Sequence, residues 1–485
     1  MPWRLVGAFL LGAAGVLAFA PFEAWPLAWA ALAGLWALLA RADTRWQGFF
    51  NGFAWGLGSF LTGVSWLFVA LHRYGGLAAP LAAGAILLFC AYLAVFPGLA
   101  GAAFIALRRR SLAANALLAG ALWLLSEWLR GVLFTGFPWL ALGYTQTPPS
   151  PLAGWLPILG VYGVGALVAG SAAGLALAGR AFLTPALVLV AILAAGGGLA
   201  QIRWTSPVGA PLKVALLQTN IDQEMKWDPQ RLGAWLDHNL ALVEAHPAPL
   251  VVLPETTLPL LADQLPQGYL TRLSAPAREA QGHVILGIFL RSAAGQIYNA
   301  ALGLGGGAVQ TYRKQHLVPF GEYSPPLFRW FYDWVNIPMS NQSRGEADQP
   351  PILVGDQRIA LNLCYEDVFG EEIIRALPEA TLLLNLSNLA WYGDSFAQPQ
   401  HLQIARVRAL ETGRTMLRST NTGMTAVVSP DGQVAAVLPA FQAGALKAEV
   451  QGYGGLTPYA RVGNLPVLGA ALAVLVLAIR RARRT

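Results

Sequence analysis

The sequence has little charge for its length. Only 12% of its 485 residues are Asp, Glu, Lys or Arg, whereas 55% are hydrophobic and the mean hydropathy is +0.50. An ordinary soluble domain carries about 25% charged residues, so this composition argues against a wholly soluble protein and is typical of a membrane protein. The deficit is uneven, because residues 1–200 carry charge only in short clusters and residues 211–460 have ordinary charge density. We therefore predict a membrane domain at 1–200, a soluble domain at 211–455 and a terminal anchor at 464–485.

The sequence is also poor in cysteine, and its two cysteines do not define a disulfide framework. Cys90 lies inside an apolar run, where a small buried side chain is expected, and Cys364 lies in the predicted soluble domain. We do not expect these two cysteines to pair. The six histidines show no metal-binding spacing, and the glycine run at 303–308 lacks the spacing of a nucleotide-binding loop. We therefore expect neither a metal nor another cofactor.

Long apolar runs predict about eight transmembrane helices, seven in the membrane domain and one at the C-terminal end. Each run is long enough, or nearly so, to cross a hydrocarbon core about 30 Å thick. The first two runs are short and could form a helical hairpin, or a signal peptide followed by a span. The hairpin is favoured because AFAPFEAW, which joins the two runs, is a poor cleavage context. The eight runs lie at 4–20, 24–40, 49–71, 80–107, 112–133, 155–178, 181–199 and 465–480.

The arginines between these runs predict their orientation. They cluster in alternate loops, which must share one side of the membrane, and the positive-inside rule makes that side the cytoplasm. Both chain termini are then cytoplasmic, and residues 200–464 are extracytoplasmic. Because much of the net charge of +7 lies in these clusters, we expect no nucleic-acid partner. The clusters are Arg4, Arg41 with Arg45, Arg108–Arg110, Arg180 and the RRARR segment at 480–484.

The soluble domain shows an alternation of predicted strands and helices. Most of the strand-like runs are continuously apolar, which is typical of sheets that are buried on both faces. Helix-compatible stretches lie between several of them, at 229–246 and 398–414. This pattern predicts an α/β domain in which helices cover packed sheets. The predicted strands are KVALLQT (213–219), LVVLPE (250–255), HVILGIF (283–289), RIALNLC (358–364), TLLLNLS (381–387) and TAVVSP (425–430).

Charged or nucleophilic residues stand near the ends of some of these runs. Glu255 ends LVVLPE, Cys364 ends RIALNLC, and Lys314 lies in YRKQHLVPFGEY with Glu322 eight residues later. Glutamate, lysine and cysteine can supply a base, a cation that stabilises an oxyanion, and a nucleophile. Spacing alone does not bring them together in space, so surface ion pairs and a structural cysteine remain alternatives.

Three short blocks resemble the signature motifs of the nitrilase, or carbon–nitrogen hydrolase, superfamily. They are LPE at 253–255, YRKQHLVPFGEY at 312–323 and CYE at 364–366. Their position between a multi-span N-terminal region and a final anchor resembles the apolipoprotein N-acyltransferase family specifically. The resemblance covers essentially the whole chain and includes the segments at 218–229, 385–414 and 419–423.

This resemblance implies a fold, a site and a reaction. The fold is a nitrilase-like α-β-β-α sandwich on the periplasmic side of the bacterial inner membrane. The site is a triad of Glu255, Lys314 and Cys364. The reaction is ping-pong: the cysteine takes the sn-1 acyl chain of a phospholipid, commonly phosphatidylethanolamine, as a thioester. The α-amine of an S-diacylglyceryl cysteine at the N-terminus of an apolipoprotein then accepts the chain. We expect the protein to act as a monomer within the lipid bilayer.

The expected roles follow from the chemistry of the triad. Glu255 is the general base, and burial is expected to raise its pKa. Lys314 stabilises the oxyanion together with the backbone N–H of Tyr365, and its charge is expected to favour the thiolate of Cys364. We expect Glu322 to orient Lys314.

Other residues have two interpretations each. Glu366 positions the site or is only structural, and the Tyr365 ring could simply pack. Trp227 resembles a family residue near the site, although a single tryptophan is more often part of a core. Asn385, Ser387 and Asn388 are expected to form hydrogen bonds to strand ends and loops, although a role in function is the alternative. The helix at 398–414 carries charged side chains that predict an ion-pair network: Arg406, Arg408, Glu411 and Arg414.

The aromatic segment PLFRWFYDWVNIP at 326–338 predicts a loop or short helix lying on the bilayer above the site. A buried core helix is the alternative.

Two other functions remain open from the sequence. A membrane-anchored nitrilase-type amidase that hydrolyses a small amide would use the same triad, but it would not need eight spans. A membrane-tethered binding module with a degenerate fold would have no reason to keep Glu255, Lys314 and Cys364. Labelling with a phospholipid, and loss of the label in Cys364→Ala, separates these possibilities.

Overall fold

The computed structural model describes residues 2–324 and 341–482, in two compact units. The helical unit comprises Met1–Phe68, Ala79–Arg203 and Thr457–Thr485. The sheet unit comprises Val69–Ala78 and Trp204–Leu456. The predicted segment at 326–338 falls within the gap and lies outside the described residues.

The helical unit begins with seven apolar helices and one short turn of helix, in the places where the apolar runs predict them. Polar side chains mark some of their starts, since Thr44 accepts a hydrogen bond from the N–H of Gln47 and Ser111 from that of Ala114. The helices are α1 (Pro2–Gly15), α2 (Pro26–Ala40), α3 (Arg45–Gly63), α4 (Leu67–Val69), α5 (Ala79–Leu107), α6 (Leu112–Val132), α7 (Leu156–Leu177) and α8 (Leu183–Leu199).

Five helical segments of the described chain are long and apolar enough to cross a membrane. Pro2–Ala18 and Pro26–Ala40 are shorter apolar helices, so the number of eight spans stays a prediction. The five segments are Ala79–Leu107, Leu112–Thr135, Pro151–Leu177, Gly179–Leu199 and Leu465–Ala482.

The predicted span at 49–71 is bent in the structure. The helix Arg45–Gly63 ends, and Leu67–Tyr74 continues at an angle of 63° to it. The indole Nε1 of Trp66 donates to the carbonyl of Gly63 at 3.0 Å, which satisfies one of the last carbonyls of the helix and favours its termination there. Residues 69–78 then belong to the sheet unit, where Arg73 Nε lies 2.7 Å from Glu224 Oε1.

Glycine allows α3 to pack closely against its neighbours. A Cβ atom on Gly52 would lie 2.2 Å from the carbonyl oxygen of Pro97 in α5, and one on Gly58 would lie 2.0 Å from that of Phe9 in α1. Small residues at such contacts let two backbones approach, which is a common way to pack helices in membranes.

The sheet unit contains thirteen strands among its described residues. All six predicted strands and both predicted helices are present, with ends shifted by up to seven residues. The strands are β1 (Ser206–Gln218), β2 (Leu250–Val252), β3 (Leu258–Leu261), β4 (His283–Arg291), β5 (Ile297–Leu304), β6 (Gln310–Arg313), β7 (Ile352–Val354), β8 (Gln357–Leu363), β9 (Leu382–Ser387), β10 (Thr415–Thr420), β11 (Ala426–Val428), β12 (Val434–Val437) and β13 (Gly444–Gly454). The helices are α9 (Gln223–Lys226), α10 (Leu232–Ala245), α11 (Tyr269–Glu279), α12 (Gly370–Ile373) and α13 (Ala397–Thr412).

The strands form two mixed sheets. One has the order β13-β1-β2-β4-β5-β6, with β3 also pairing with β4, and the other has the order β12-β11-β10-β9-β8-β7. In the first sheet β1, β2 and β4 are parallel, and in the second β8, β9 and β10 are parallel. Parallel strands present their carboxyl ends at one edge, where side chains can converge.

The two sheets and the helices form four layers. Val214 and Leu216 of β1 face a core shared with the second sheet, which includes Leu384 of β9. Ala215 and Leu217, on the other face of β1, join a core with α10 and α11. A third core joins the second sheet to α12 and α13. Because both faces of these strands are covered, their sequences read as continuous apolar runs. The α-β-β-α architecture is the predicted one.

The chain returns to the helical unit after β13. The short helix α14 (Pro458–Val462) is capped by Thr457, whose side chain accepts a hydrogen bond from the N–H of Ala460. The apolar helix α15 (Leu465–Ala482) follows and carries arginines in its last turn.

Candidate active site

The three predicted triad residues each follow a strand. Glu255 lies three residues after β2, Lys314 directly after β6 and Cys364 directly after β8. All three side chains are buried. The Nζ atom of Lys314 lies 3.0 Å from Oε1 of Glu255, and the charges of both act on the Cys364 thiol. The fold therefore brings together residues that are up to 109 positions apart in the sequence.

Glu255 is held as a carboxylate. Besides Lys314, its Oε1 accepts from Nδ2 of Asn299 at 2.8 Å, and its Oε2 accepts from the backbone N–H of Asn388 at 2.9 Å. Burial raises the pKa of Glu255, but the charge of Lys314 and these hydrogen bonds outweigh it, so the net pKa is lowered. The expectation of a raised pKa for Glu255 was wrong, because it considered burial alone and did not include the charge of Lys314 and the donors around the carboxylate.

Lys314 lies between two carboxylates. Its Nζ is 2.7 Å from Oε1 of Glu322, whose other oxygen accepts from the N–H of Val318 at 2.8 Å. Burial lowers the pKa of Lys314, but Glu255 and Glu322 raise it well above its usual value. The ammonium group is therefore charged at neutral pH and held in one position, as expected of a cation oriented by Glu322.

Cys364 begins a tight turn at the end of β8. Its φ is +52°, a left-handed conformation that costs an L residue roughly 1–2 kcal/mol. Burial and the charge of Glu255 raise the pKa of its thiol well above the usual range, although Lys314 lowers it. The expectation that Lys314 would favour the thiolate is therefore only partly right, because two carboxylates offset its charge. The resting site holds a thiol beside a carboxylate, which is the arrangement that general-base activation requires.

This resting state predicts the pH dependence of thiol alkylation. Because the pKa of Cys364 is raised, the rate of its alkylation by iodoacetamide should still be rising at pH 9, since only the thiolate reacts. Site-resolved mass spectrometry of Cys364 across pH 6–10 measures this rate. A plateau below pH 7 would mean a preformed thiolate and would contradict the geometry. The exposed thiol of a small peptide is the reference reaction.

Glu366 holds the segments that carry Lys314 and Cys364. Its Oε1 accepts from the N–H groups of Gln315 and His316, at 2.7 and 3.0 Å. Its Oε2 accepts from the N–H of Leu363 at 2.6 Å and from the hydroxyl of Tyr312 at 2.9 Å. Burial raises the pKa of Glu366 to about 7, against the charge of Lys314 and the backbone N–H groups. Both oxygens are used inside the protein, which favours a positioning role over direct contact with a lipid.

Comparisons with known proteins give matches to two protein families and to full-length relatives. Residues 11–174 match the apolipoprotein N-acyltransferase N-terminal domain, and residues 213–459 match the carbon–nitrogen hydrolase family. The chain is 48% identical over 481 residues to an apolipoprotein N-acyltransferase of Nitrosomonas europaea, with 98% of this chain and 97% of that protein covered. A second relative, from Ralstonia nicotianae, is also 48% identical, with 98% of this chain and 93% of its own length covered.

The chain belongs to the apolipoprotein N-acyltransferase family. This confirms the resemblance that the three sequence blocks indicated. Among solved structures, an amidase from Nesterenkonia sp. is 21% identical and is matched over 54% of this chain and 97% of its own, with a TM-score of 0.40. A match at that level says nothing about activity. Membership of the apolipoprotein N-acyltransferase family rests on the full-length relatives.

The role of Glu366 in this family member can be tested by Glu366→Gln. A glutamine has one oxygen, so its NH₂ group must face one pair of buried donors, and a buried donor without an acceptor costs about 1–3 kcal/mol. We expect a lower midpoint of thermal unfolding than in the wild type, measured in one detergent at one pH. The exposed Glu379→Gln should leave the midpoint unchanged. An unchanged midpoint in Glu366→Gln would show that these hydrogen bonds contribute little.

Two further predicted site residues, Trp227 and Tyr365, are aromatic and make ring contacts. Trp227 is half-buried and packs its ring against that of Phe289, with the ring centroids 6.1 Å apart, and its role at the site stays a prediction. The Tyr365 ring is buried beside His316 and Phe369.

The predicted ion-pair network on α13 is present in part. Arg408 pairs with Glu411 at 3.0 Å. Arg406 donates to the carbonyl of Gly432, and Arg414 donates to backbone carbonyls, among them that of Ala380.

Sequence reasoning missed two further groups near Glu255. Asn299 donates to both Glu255 and Glu322, at 2.8 and 3.2 Å, and its place in β5 carries no recognisable motif. Lys226 is buried, and its Nζ lies 3.5 Å from the carbonyl oxygen of Glu255. Burial lowers the pKa of Lys226 to about 7, although the charge of Glu255 opposes this. A lysine directly before a predicted site tryptophan was a signal that could have been noticed. Within the described ranges no group of three or more metal-ligating side chains is assembled.

Proposed function

We propose that this protein is an N-acyltransferase that moves the sn-1 acyl chain of a phospholipid to the N-terminal amine of a diacylated apolipoprotein. The single observation that carries the proposal is the full-length similarity to proteins of that name. The buried Glu255–Lys314–Glu322 cluster beside Cys364 supplies the chemistry that such a transfer needs. Phosphatidylethanolamine is the proposed donor, and one chain holds a complete triad, so a monomer suffices.

In the first half-reaction the Glu255 carboxylate takes the proton of the Cys364 thiol. The thiolate attacks the carbonyl carbon of the sn-1 ester, and the oxyanion that forms is stabilised by Lys314 and the N–H of Tyr365. The carbon–oxygen bond of the ester then breaks. Protonated Glu255 returns its proton to the leaving oxygen, which gives a lysophospholipid and an acyl thioester on Cys364.

In the second half-reaction the neutral α-amine of the acceptor attacks the thioester. Glu255 takes a proton from the nitrogen, the carbon–sulfur bond breaks, and Glu255 returns that proton to the sulfur. A thioester favours this step because amines attack it readily, but water must be kept out or the enzyme becomes a lipase. The burial of Glu255, Lys314 and Cys364 serves this purpose.

We also propose the membrane arrangement that the arginine clusters indicate. Residues 1–200 and 464–485 form a multi-pass membrane domain of eight spans in the bacterial inner membrane. Residues 211–455 form the catalytic domain on the periplasmic side, and both termini are cytoplasmic. This arrangement gives the catalytic domain access to both lipid substrates at the membrane surface.

The proposal is tested by transfer to a lipopeptide. The purified full-length protein is incubated with a phospholipid labelled in its sn-1 chain and a diacylated lipopeptide with a free N-terminal amine. We expect labelled N-acyl lipopeptide by mass spectrometry, and none when the amine is acetylated or when the label is in the sn-2 chain. Cys364→Ala should give no transfer.

Two outcomes would contradict the proposed function. Release of the label only as free fatty acid would indicate a hydrolase. Turnover of a small amide without any transfer to the lipopeptide would favour a membrane-anchored amidase, which keeps the same triad.

A further inference from the structure

A buried polar network lies behind Cys364, on residues that the proposed mechanism does not use. It consists of Asp367, three positions after Cys364, together with His401 of α13 and Arg418 of β10. All three side chains are fully buried. Arg418 NH1 lies 3.3 Å from Oδ2 of Asp367, and His401 Nε2 lies 2.6 Å from Oδ1 of Asp367. Burying these three polar side chains costs free energy of desolvation. Their contacts with the neighbouring backbone indicate what the network holds in place.

The contacts fix the tautomer of His401. Arg418 NH2 lies 2.7 Å from Nδ1 of His401, and a guanidinium group can only donate. Nδ1 must therefore accept, and the proton of the neutral ring is on Nε2. Burial and the charge of Arg418 lower the pKa of His401, which agrees with a neutral ring. The Nε2–H group then donates to Asp367 and, at 3.2 Å, to the backbone carbonyl of Cys364.

A second donor reaches the same carbonyl. Asn385 Nδ2 lies 3.1 Å from the oxygen of Cys364, and Arg418 NH1 donates to Oδ1 of Asn385 at 3.1 Å. Arg418 therefore orients both side chains that donate to this oxygen, His401 and Asn385. The two donors fix the carbonyl of a residue whose φ of +52° is unfavourable in isolation.

Fixing this carbonyl has a geometric consequence. The Cys364–Tyr365 peptide is trans and planar, so its C=O and its N–H point in opposite directions. We propose that His401 and Asn385, oriented by Arg418 and Asp367, are positioning residues that aim the Tyr365 N–H at the oxyanion by holding the Cys364 carbonyl. This inference rests on the proposed function, which gives that N–H its role. The network holds the back of the peptide, whereas Glu255 and Lys314 act on the thiol and the substrate.

Two reactions of the Cys364 sulfur differ in whether they need the Tyr365 N–H group. Acylation by a phospholipid forms an oxyanion and needs the Tyr365 N–H. Alkylation by iodoacetamide forms none and depends only on the thiolate and its access. A residue that aims the N–H should affect the first reaction and not the second, whereas a residue that merely keeps the site folded should affect both.

The test uses the full-length protein with phospholipid and no acceptor. In His401→Leu the acylation rate of Cys364 should fall about 100-fold, as it does when one oxyanion donor is lost. Its alkylation rate at the same pH should stay within about threefold of the wild type, because thiolate content is unchanged. His401→Gln, whose amide nitrogen can reach the place of Nε2, should recover most of the acylation rate. Thr412→Val, a buried change on the same helix that does not touch Cys364, should leave both rates unchanged.

Several results would overturn the inference. One is an equal loss of acylation and alkylation in His401→Leu, and another is an unchanged acylation rate. If His401→Leu does not fold, Asn385→Ala removes the other donor and must show the same selective loss. Failure of the proposed function would be a different result, because the wild-type protein itself would then form no acyl adduct.

Discussion

Glu255→Gln should lower the rate of Cys364 acylation by about 10³-fold, within the range that general-base catalysis contributes. The substitution keeps the shape of the side chain and an oxygen for the N–H of Asn388, but it removes the carboxylate that is proposed to take the thiol proton. Pre-steady-state mass spectrometry of the acyl adduct measures the rate. The exposed Glu244→Gln, which loses only a surface contact with Arg272, should acylate at the wild-type rate.

The same variant should respond differently to iodoacetamide. The charge of Glu255 raises the pKa of the Cys364 thiol, so removing that charge should lower this pKa and leave alkylation at pH 9 equal or faster. A parallel loss of acylation and alkylation would mean that Glu255 maintains the fold of the site and is not its base.

Lys314→Met should have the second largest effect, on both activity and stability. It removes the cation from the oxyanion site, for which a loss of at least 10²-fold in acylation is the usual order of magnitude. It also leaves the carboxylates of Glu255 and Glu322 buried without their cation, and breaking a buried ion pair in this way costs about 3–5 kcal/mol. The exposed Lys213→Met is the matched control and should be neutral.

The pH dependence of this loss has a definite sign. In the wild type the pKa of Glu255 is lowered, so its ion pair stabilises the protein above the ordinary carboxyl pKa of 4.5 and that stability is lost as the pH falls. In Lys314→Met the lowering charge is gone and burial raises the pKa, so the variant should lose stability as the pH rises. The difference in unfolding midpoint between this variant and the wild type should therefore be smaller at pH 5.5 than at pH 8. A constant difference between the two pH values would contradict this account.

The main features of the fold follow from local patterns in the sequence. The run TLLLNLS predicts a strand covered on both faces, and β9 lies at the centre of the second sheet with apolar side chains in two cores. The apolar runs likewise predict the helices of the helical unit. The bend after Gly63 was missed because it depends on a side chain, that of Trp66, capping a helix inside an apolar run.

The candidate site could be predicted as a set of residues but not as an electrostatic arrangement. The positions of Glu255, Lys314 and Cys364 followed from strand ends and from the family resemblance. The directions of the pKa shifts could not be predicted in this way, because they depend on Asn299, on the backbone N–H of Asn388 and on the second carboxylate, that of Glu322. These donors come from distant parts of the chain and carry no local signature.

The polar network behind Cys364 could not be predicted from the sequence for the same reason. His401 was part of a predicted helix, but its partner Asp367 is 34 positions away and Arg418 is 51 positions from Asp367. Nothing in either segment by itself indicates that these side chains meet, since pairing of β8, β9 and β10 brings them together. Long-range polar contacts of this kind follow from the tertiary fold and not from spacing.

We propose that Cys364 carries the acyl chain as a thioester during transfer. The most direct measurement is the intact mass of the purified protein after incubation with phospholipid in the absence of an acceptor. The account predicts a gain equal to one acyl chain, located on the peptide that contains Cys364 and removed by neutral hydroxylamine or by a diacylated lipopeptide. An unmodified protein that still transfers acyl chains, or an adduct on any other residue, would contradict it.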